Sequence, residues 1–322
     1  MNATLIYNPI AGPRDYAQVI QQAAELWRVY GWRVTVIPTE YAGHATRLAR
    51  EAADAGQDVV LAAGGDGTLG QVANGLAESN TIMAPLPVGT GNSLAKELRM
   101  PRPGFFQWSR LLDTAELLLQ GRVQAMDLAQ LSTGQYWLLW AGAGADGYLV
   151  ENIEPRPKHF KRLGAAGYLF QSLYIVRQMP KWNTHIEIDG RAITGNYLVM
   201  VLSNCRLFGG GELVLTPNAV LDDGKFELWL FRGQNMLFVY RYLLEIKLGL
   251  HHYDMDVELY TGSHVVINTD PIMPVHTDGE PGGRTPMVCE MRPGVLRLLV
   301  PSTAPAGLFG RPGLSLARTY RF

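Results

Sequence analysis

The stretch Asp58-Val59-Val60-Leu61-Ala62-Ala63-Gly64-Gly65-Asp66-Gly67-Thr68-Leu69 decides how this chain is read. Its first half is a short apolar run rich in β-branched residues, the pattern of a strand buried on both faces. Its second half breaks at three glycines set around one aspartate. Leu69, Val72, Ala73 and Leu76 then recur at helical spacing. A strand that turns through glycines into a helix offers free N–H groups at the turn, and glycine lets the backbone approach phosphate oxygens without a Cβ in the way. Asp66 is placed there to coordinate Mg²⁺, directly or through water, or to act as a base. Thr68 is placed to cap the helix or to donate to a phosphate. A plain strand–helix turn needs one glycine, not three around an acid.

The same grammar repeats on either side. Residues 3–7 form an apolar run ending at Asn8-Pro9, with Ala11-Gly12 just beyond. Residues 15–30 carry apolar side chains at helical spacing, 32–37 alternate, and 44–55 read as a helix closed by Gly56. Residues 82–88 form another strand, which runs into Gly89-Thr90-Gly91-Asn92 and a further helix. This βαβαβαβ order predicts a parallel sheet covered on both faces. Ligands bind such sheets at the carboxyl ends of the strands. The Asn8, 64–68 and 89–92 loops all fall at that edge. The two glycine loops would cradle a polyphosphate, and Asn8-Pro9 is either a third wall or an ordinary turn.

After about residue 125 the texture changes. Short strands are predicted at 125–131, 136–142, 185–188, 196–203, 226–231, 256–259, 264–267 and 295–300. That pattern suggests an antiparallel β-sandwich or barrel-like domain, with helical insertions at 163–178 and 236–248. The expected fold class is therefore α/β plus β. A nucleotide-binding α/β domain spans 1–125, a β-sandwich domain spans 126–300, and a Gly/Pro-rich tail spans 301–322. The tail carries Arg311, Arg318 and Arg321 and either packs back on the first domain or stays free.

Other motifs carry two readings each. Asp222-Asp223-Gly224 and Asp278-Gly279-Glu280 are most simply hairpin turns, but carboxylates beside glycine also build Mg²⁺ sites on tight loops. The run from Gly142 to Gly147 matches G-x-G-x-x-G after a strand. Pro155 and Pro157 soon interrupt the helix that a dinucleotide site needs, so a flexible loop at the domain junction is expected. His251-His252 with Asp254 lacks a third ligand at metal spacing and reads as a solvated helix end. No G-x-x-x-x-G-K-[ST] stretch and no protein-kinase loop is present.

Composition narrows the classes. With 322 residues, 47% of them hydrophobic, the chain is long enough for two cored domains. A formal net charge of −1 argues against a nucleic-acid binder. Cys205 and Cys289 form no CxxC pair, so neither a disulfide framework nor a zinc site is expected, and a reducing cytosol fits. The first residues lack a charged segment followed by a long apolar one, so no signal peptide is expected. No apolar run reaches the roughly 20 residues that span a bilayer, so membrane contact is expected to be peripheral. Lys158, Lys161 and Arg162 precede the apolar stretch 163–176, which suits an anionic interface and equally an ordinary core helix with a charged end.

Taken in order, Asn8-Pro9 with Gly12, Thr39-Glu40 with Gly43-His44-Ala45, the 64–68 loop continuing through Asn74-Gly75-Leu76, residues 87–92, Asp222-Asp223-Gly224 and Asp278-Gly279-Glu280 resemble the diacylglycerol kinase catalytic family. That family includes bacterial lipid kinases, sphingosine kinases and ceramide kinases, and the resemblance covers roughly residues 2–300. The GGDGT loop is shared with NAD kinases and resembles the phosphofructokinase loop. The resemblance implies an NAD kinase/phosphofructokinase-like α/β domain, a β-sandwich, and ATP in the cleft between them. By position, Asn8, Pro9, Thr39, Gly64, Gly65, Gly67, Thr68, Thr90, Gly91 and Asn92 would bind the nucleotide. Asp66 would organise catalytic Mg²⁺ or deprotonate the lipid hydroxyl, and Glu280 with Asp278 would complete the catalytic carboxylates. A structural Mg²⁺ would take the Asp223 carboxylate with the Val220 and Lys225 backbone carbonyls, and Asp127 matches an acidic position near that network. Gly144 to Gly147 match a lipid-facing loop.

The implied activity is transfer of the ATP γ-phosphoryl group to a hydroxyl of diacylglycerol, a sphingoid base or a related lipid. It would take place at a membrane surface, in the cytoplasm or at the inner face of the membrane, and a homodimer is compatible with it. One position departs from the pattern: many bacterial members carry Asp after the Gly-Thr-Gly-Asn run, where this chain has Ser93. The departure tilts the lipid toward a long-chain base, ceramide or another alcohol. Two other readings stand beside this one: a soluble-substrate kinase of NAD kinase type, and a lipid-binding pseudokinase.

Overall fold

The computed structural model describes residues 1–103, 107, 109–145, 147, 148, 151, 182–233 and 235–316. The predicted 163–178 helix, the Lys158, Lys161 and Arg162 cluster, Asp146, Arg318 and Arg321 lie outside those residues.

Strands β1 (Asn2–Tyr7), β2 (Arg33–Pro38), β3 (Val59–Gly64) and β4 (Ile82–Pro87) form a parallel sheet in the order β2-β1-β3-β4. Helices α1 (Ala17–Val29), α2 (His44–Asp54), α3 (Asp66–Leu76), α4 (Ser93–Glu97) and α5 (Arg110–Leu119) accompany it. Strands β3 and β4 are buried along their whole length, as central parallel strands must be. α2 packs on α3, and α1 packs on α5. Trp27 of α1 is buried, and its ring N–H donates to the Ala115 carbonyl of α5 at 3.0 Å.

The second half is built from β5 (Arg122–Leu131), β6 (Tyr136–Trp137), β7 (Trp140–Gly144), β8 (Asn183–Ile188), β9 (Arg191–Gly195), β10 (Tyr197–Ser203), β11 (Leu207–Phe208), β12 (Leu213–Val214) and β13 (Phe226–Arg232). Helix α6 (Met236–Leu248) follows, then β14 (Val257–Gly262), β15 (His264–Asp270), β16 (Pro274–Thr277), β17 (Glu280–Arg284), β18 (Met287–Val300) and β19 (Leu314–Ser315). One layer is the antiparallel sheet β14-β13-β10-β7-β16-β17. The other is β18-β15-β8-β9 with β5 beside β18. Trp137, Ile186, Phe226 and Val265 belong to the apolar core that both layers share.

β18 links the halves. β5 runs antiparallel along one of its edges. Along the other edge its first residues pair with β15, and Arg297 and Leu298 pair in parallel with Ile82 and Met83 of β4. The long sheet therefore runs unbroken from the parallel half into the sandwich. The chain is an α/β nucleotide-type half joined to a β-sandwich half.

Several local readings change. Gly142, Ala143 and Gly144 are not a flexible loop but the last three residues of β7; all three pair with β10, and Gly142 and Ala143 pair with β16 on the other side as well. Small residues suit that place, because a Cβ on Gly144 would lie 2.5 Å from the Leu198 carbonyl oxygen. His251 is buried rather than solvated, with Nε2 2.8 Å from the Leu215 carbonyl. The tail returns to the sheet. Leu314 and Ser315 pair with Val123 and Arg122, and Leu316 is buried against the first core. Among the described residues no helix is long and apolar enough to cross a membrane.

Candidate active site

The parallel register of the first sheet brings its outgoing loops side by side. Each continues the ladder by one bond: Asn8 N–H to the Ala63 carbonyl at 3.0 Å, Thr39 N–H to Tyr7 at 2.8 Å, and Val88 N–H to Gly64 at 3.0 Å. The two glycine loops touch backbone to backbone, since a Cβ on Gly89 would lie 2.3 Å from the Gly65 Cα. The Asn8 amide reaches across and donates to the Thr68 hydroxyl at 3.2 Å. Asn92 turns back in the left-handed region, accepting from the Gly89 N–H at 2.9 Å and donating to its carbonyl at 2.7 Å. Its amide braces the loop and leaves Thr90 exposed at the tip. No side chain caps the first turn of α3, so the positive end of that helix faces the cradle. Thr39 sits half-buried at the rim. Beyond it, buried His44 accepts from the Glu40 N–H at 3.1 Å and stacks on Tyr41.

Three carboxylates converge on the start of α3. Asp66, its first residue, accepts from the Ser93 hydroxyl at 3.0 Å and from the Leu94 N–H at 3.3 Å. Ser93 thus donates where an aspartate would have set a like charge against Asp66. The other two come from the β16–β17 hairpin. Its turn residues, Asp278 and Gly279, have φ of 51° and 81°, as a tight two-residue connection demands. Glu280 accepts from Gln71 Nε2 at 3.1 and 3.2 Å. A Cβ on Gly67 would lie 2.7 Å from Glu280 Oε1, and one on Gly70 would lie 2.9 Å from Asp278 Oδ2. Glycines three apart on one helix face therefore make room for the two hairpin acids.

Asp278 has a different neighbourhood from its companions. It is buried and accepts from the Leu138 and Leu139 N–H groups at 2.7 Å each and from Trp140 at 3.3 Å. Burial pushes its carboxyl up to about 6; the three N–H bonds oppose this, and the charge of Asp66 adds to it. Asp278 clamps the approach to β7, while Asp66 and Glu280 stand at the helix end.

A wall that sequence reasoning missed closes the other side. The β11–β12 hairpin carries Gly209, Gly210 and Gly211, all with positive φ. A Cβ on Gly91 would lie 3.0 Å from Asp66 Oδ2 and 3.4 Å from the Gly210 Cα. Lys96 Nζ donates to the Gly210 carbonyl at 2.6 Å and pairs with Glu212. Behind it, buried Glu97 accepts from Arg206 Nε at 2.8 Å and from the Leu207 N–H at 3.0 Å. The only signal in the sequence was the glycine triplet itself, which alone reads as a turn.

The other acidic turn is built against the tail and β18. Asp222 accepts from the Gly310 and Arg311 N–H groups at 2.6 and 3.0 Å. Buried Asp127 accepts from Gly224 and Gly294 at 2.6 and 2.7 Å. Asp223 is exposed, and its Oδ1 accepts from the Lys225 N–H at 3.0 Å; Val220 is half-buried beside the turn. Burial, then the charges of Asp222 and Asp223, raise the Asp127 carboxyl. Burial, then Asp223, push the Glu227 carboxyl up to about 7. Among the described residues no group of three or more His, Cys, Asp or Glu side chains assembles a ready cation cage. A separate recess of about 900 Å³, lined among others by Trp182, Tyr197, Arg232 and Phe238, shares none of the described residues of these loops.

Comparison with known proteins agrees with this layout. The diacylglycerol kinase catalytic domain matches residues 2–131, and the YegS C-terminal NAD kinase beta sandwich-like domain matches residues 142–300. A diacylglycerol kinase of Bacillus subtilis (strain 168) is 29% identical over 286 residues, covering 88% of this chain and 91% of that protein. One from Staphylococcus carnosus (strain TM300) is 26% identical, covering 88% and 90%. A solved diacylglycerol kinase structure from Bacillus anthracis str. Sterne superposes with a TM-score of 0.68 at 22% identity, over 94% of this chain and 98% of that one. Neither a soluble-substrate kinase nor a pseudokinase gains support from these matches. The chain belongs to the diacylglycerol kinase catalytic-domain family and is a lipid kinase.

Proposed function

We propose that this enzyme transfers the γ-phosphoryl group of ATP to a hydroxyl of diacylglycerol or a closely related lipid, with Mg²⁺ neutralising phosphate charge. The observation that carries the reading is the meeting of Asp66 and Glu280 at the uncapped first turn of α3, beside two interlocked glycine loops. Phosphoryl transfer asks mainly for alignment and charge neutralisation. Backbone N–H groups of Gly64, Gly65, Gly67 and Thr68, with those of Thr90 and Gly91, hold the phosphates. Asn8, Pro9 and Thr39 flank the nucleotide, and Asn92 keeps its loop in shape. Asp66, held by Ser93 and the Leu94 N–H, takes the proton of the lipid hydroxyl. Glu280, held by Gln71, supplies the second charge at the transferring group. Asp278 acts as a positioning residue, fixing the hairpin that presents Glu280.

The donor set fits Mg²⁺. A nucleotide-bound Mg²⁺ asks a protein for one or two carboxylates and takes its remaining ligands from phosphate and water; Asp66 would supply one. A second, structural Mg²⁺ would sit on the Asp223 carboxylate with the Val220 and Lys225 carbonyls. Asp127, whose two oxygens already hold Gly224 and Gly294, would support that turn from behind. The cation there would offset the Asp223 charge, which adds to burial in raising Glu227. Cys205 and Cys289 are unpaired and buried, which suits the reducing cytoplasm; a lipid acceptor would place the work at the inner face of its membrane.

The test is a labelled-ATP assay with Mg²⁺ against vesicles containing diacylglycerol, sphingosine or ceramide, and against NAD in solution. Label in phosphatidic acid is expected. Label only in the sphingoid lipids would move the substrate, and label only in NAD, or in no product, would overturn the proposal.

A further inference from the structure

Helix α6 breaks the rule that a surface helix turns its polar side outward. Tyr242 and Ile246 are buried. On the opposite side, at spacings of seven and four, Leu237, Leu244 and Leu248 are 75%, 58% and 60% exposed. Leu250, Tyr253 and Met255 continue the patch beyond the helix, at 49%, 77% and 96%. Of the fifteen exposed large hydrophobic residues among those described, eight fall between 237 and 259, so the exposure is local and not scattered. A patch of this kind marks an interaction surface.

Its position ties it to the chemistry. α6 packs on β12, where Val214 is also exposed. β12 is one arm of the glycine hairpin, and Gly210 at its tip lies against Gly91, which in turn lies beside the Asp66 carboxylate. One hairpin therefore separates the apolar helix face from the catalytic aspartate. The charges around the patch are of both signs. Lys247 is exposed, and it and Arg102 act on Glu212 alongside the Lys96 ion pair. Arg241 gathers the acids of this face, pairing with Asp254 at 2.8 Å, Asp256 at 3.0 Å and Glu245 at 3.4 Å, and offsets part of their charge.

We propose that the outward face of α6, with the 250–255 segment, is the surface on which this kinase docks to a phospholipid bilayer, bringing the cleft between α3 and the glycine hairpin to its lipid. Outward leucines would enter the boundary between headgroups and acyl chains, and Lys247 would meet the headgroup phosphates. The inference rests on the lipid-kinase reading of the site. It names the surface by which a membrane-borne hydroxyl is reached.

The test compares the full chain with its Leu244→Gln/Leu248→Gln variant in three measurements. The first is sedimentation with vesicles of phosphatidylcholine, with and without phosphatidylglycerol. The second is turnover of long-chain diacylglycerol in those vesicles and of a dispersed short-chain diacylglycerol without a bilayer. The third is mass in solution by light scattering. The intact chain should bind both kinds of vesicle, and the variant should lose binding by about tenfold or more. Turnover in vesicles should fall with binding while turnover of the dispersed lipid holds, which also shows that the variant is folded. Unchanged vesicle binding in the variant would overturn the proposal. So would a dimer that the substitutions dissolve while vesicle binding persists, since the patch would then cover a second copy. If the variant failed on the dispersed lipid, the milder Leu248→Ser would replace it under the same criteria. Vesicle binding is read without turnover, so an error in the assigned substrate would leave this result standing.

Discussion

Asp222-Asp223-Gly224 and Asp278-Gly279-Glu280 look alike in sequence, yet they perform different work. Each is a short acidic turn before a strand, and each spends one buried aspartate on backbone N–H groups. Asp222 spends its carboxylate on Gly310 and Arg311 and so ties down the returning tail. Asp278 spends its own on residues 138–140 and so fixes the entry to β7. The difference lies in the residue beside the anchor. Asp223 points to solvent next to its own turn, whereas Glu280 is pressed against the first turn of α3, where Gly67 leaves room for it. A turn acid becomes a site acid when a helix end opposite it lacks a cap and offers glycine.

That contrast can be broken by substitution. Asp66→Asn keeps the shape of the site but removes the proton acceptor, and kcat should fall by about 10²–10⁴-fold with nucleotide binding retained. Near-normal turnover would remove Asp66 from its role. Glu280→Gln should lower kcat by about 10²-fold, because a preorganised charge is lost, while the melting temperature stays within error. A fall in stability equal to the fall in rate would make Glu280 another anchor. Asp278→Asn sets an amide NH₂ against N–H donors and should cost about 1–3 kcal/mol of stability, with a smaller loss of kcat through the displaced hairpin. Asp222→Asn should cost about 1 kcal/mol by loosening the tail, with kcat unchanged. Denaturant unfolding alongside steady-state kinetics separates the four.

Asp278 also predicts a pH signature. Its folded carboxyl titrates at about 6, above the roughly 3.9 of an unfolded aspartate, so the folded chain keeps a proton that the unfolded chain has released. This stabilisation is complete below about pH 4 and is lost as pH rises through about 6. Unfolding free energies across that window should fall with pH by this contribution in the parent and in Asp222→Asn, and not in Asp278→Asn.

The nucleotide half was legible because its signals are local. β3 and β4 are continuous apolar runs, and the glycine loops follow them directly. The sandwich was less legible because its pairing is long-range. β17 reads Glu-Pro-Gly-Gly-Arg, which no propensity scale favours as a strand, and it forms only because β16 lies beside it. Gly142 to Gly144 hid a central strand for the same reason. In the site, the acids and glycines could be named from sequence, but their partners could not. Gln71 lies 209 residues from Glu280, and Gly210 more than a hundred from Gly91. Ser93 was recognised as a departure from the family pattern, but only coordinates show its hydroxyl on Asp66.

β18 has a consequence for how this protein comes into being. The strand that completes the edge of the nucleotide sheet is made almost last, with its pairing residues more than two hundred positions after β4 is synthesised. Until then β4 is a bare apolar edge, and β5 has no partner along most of its length. A fragment cut after residue 131 would carry both glycine loops of the parallel sheet but neither the strand that seals it nor the β11–β12 hairpin, so the nucleotide half cannot be taken out of this chain as a working piece.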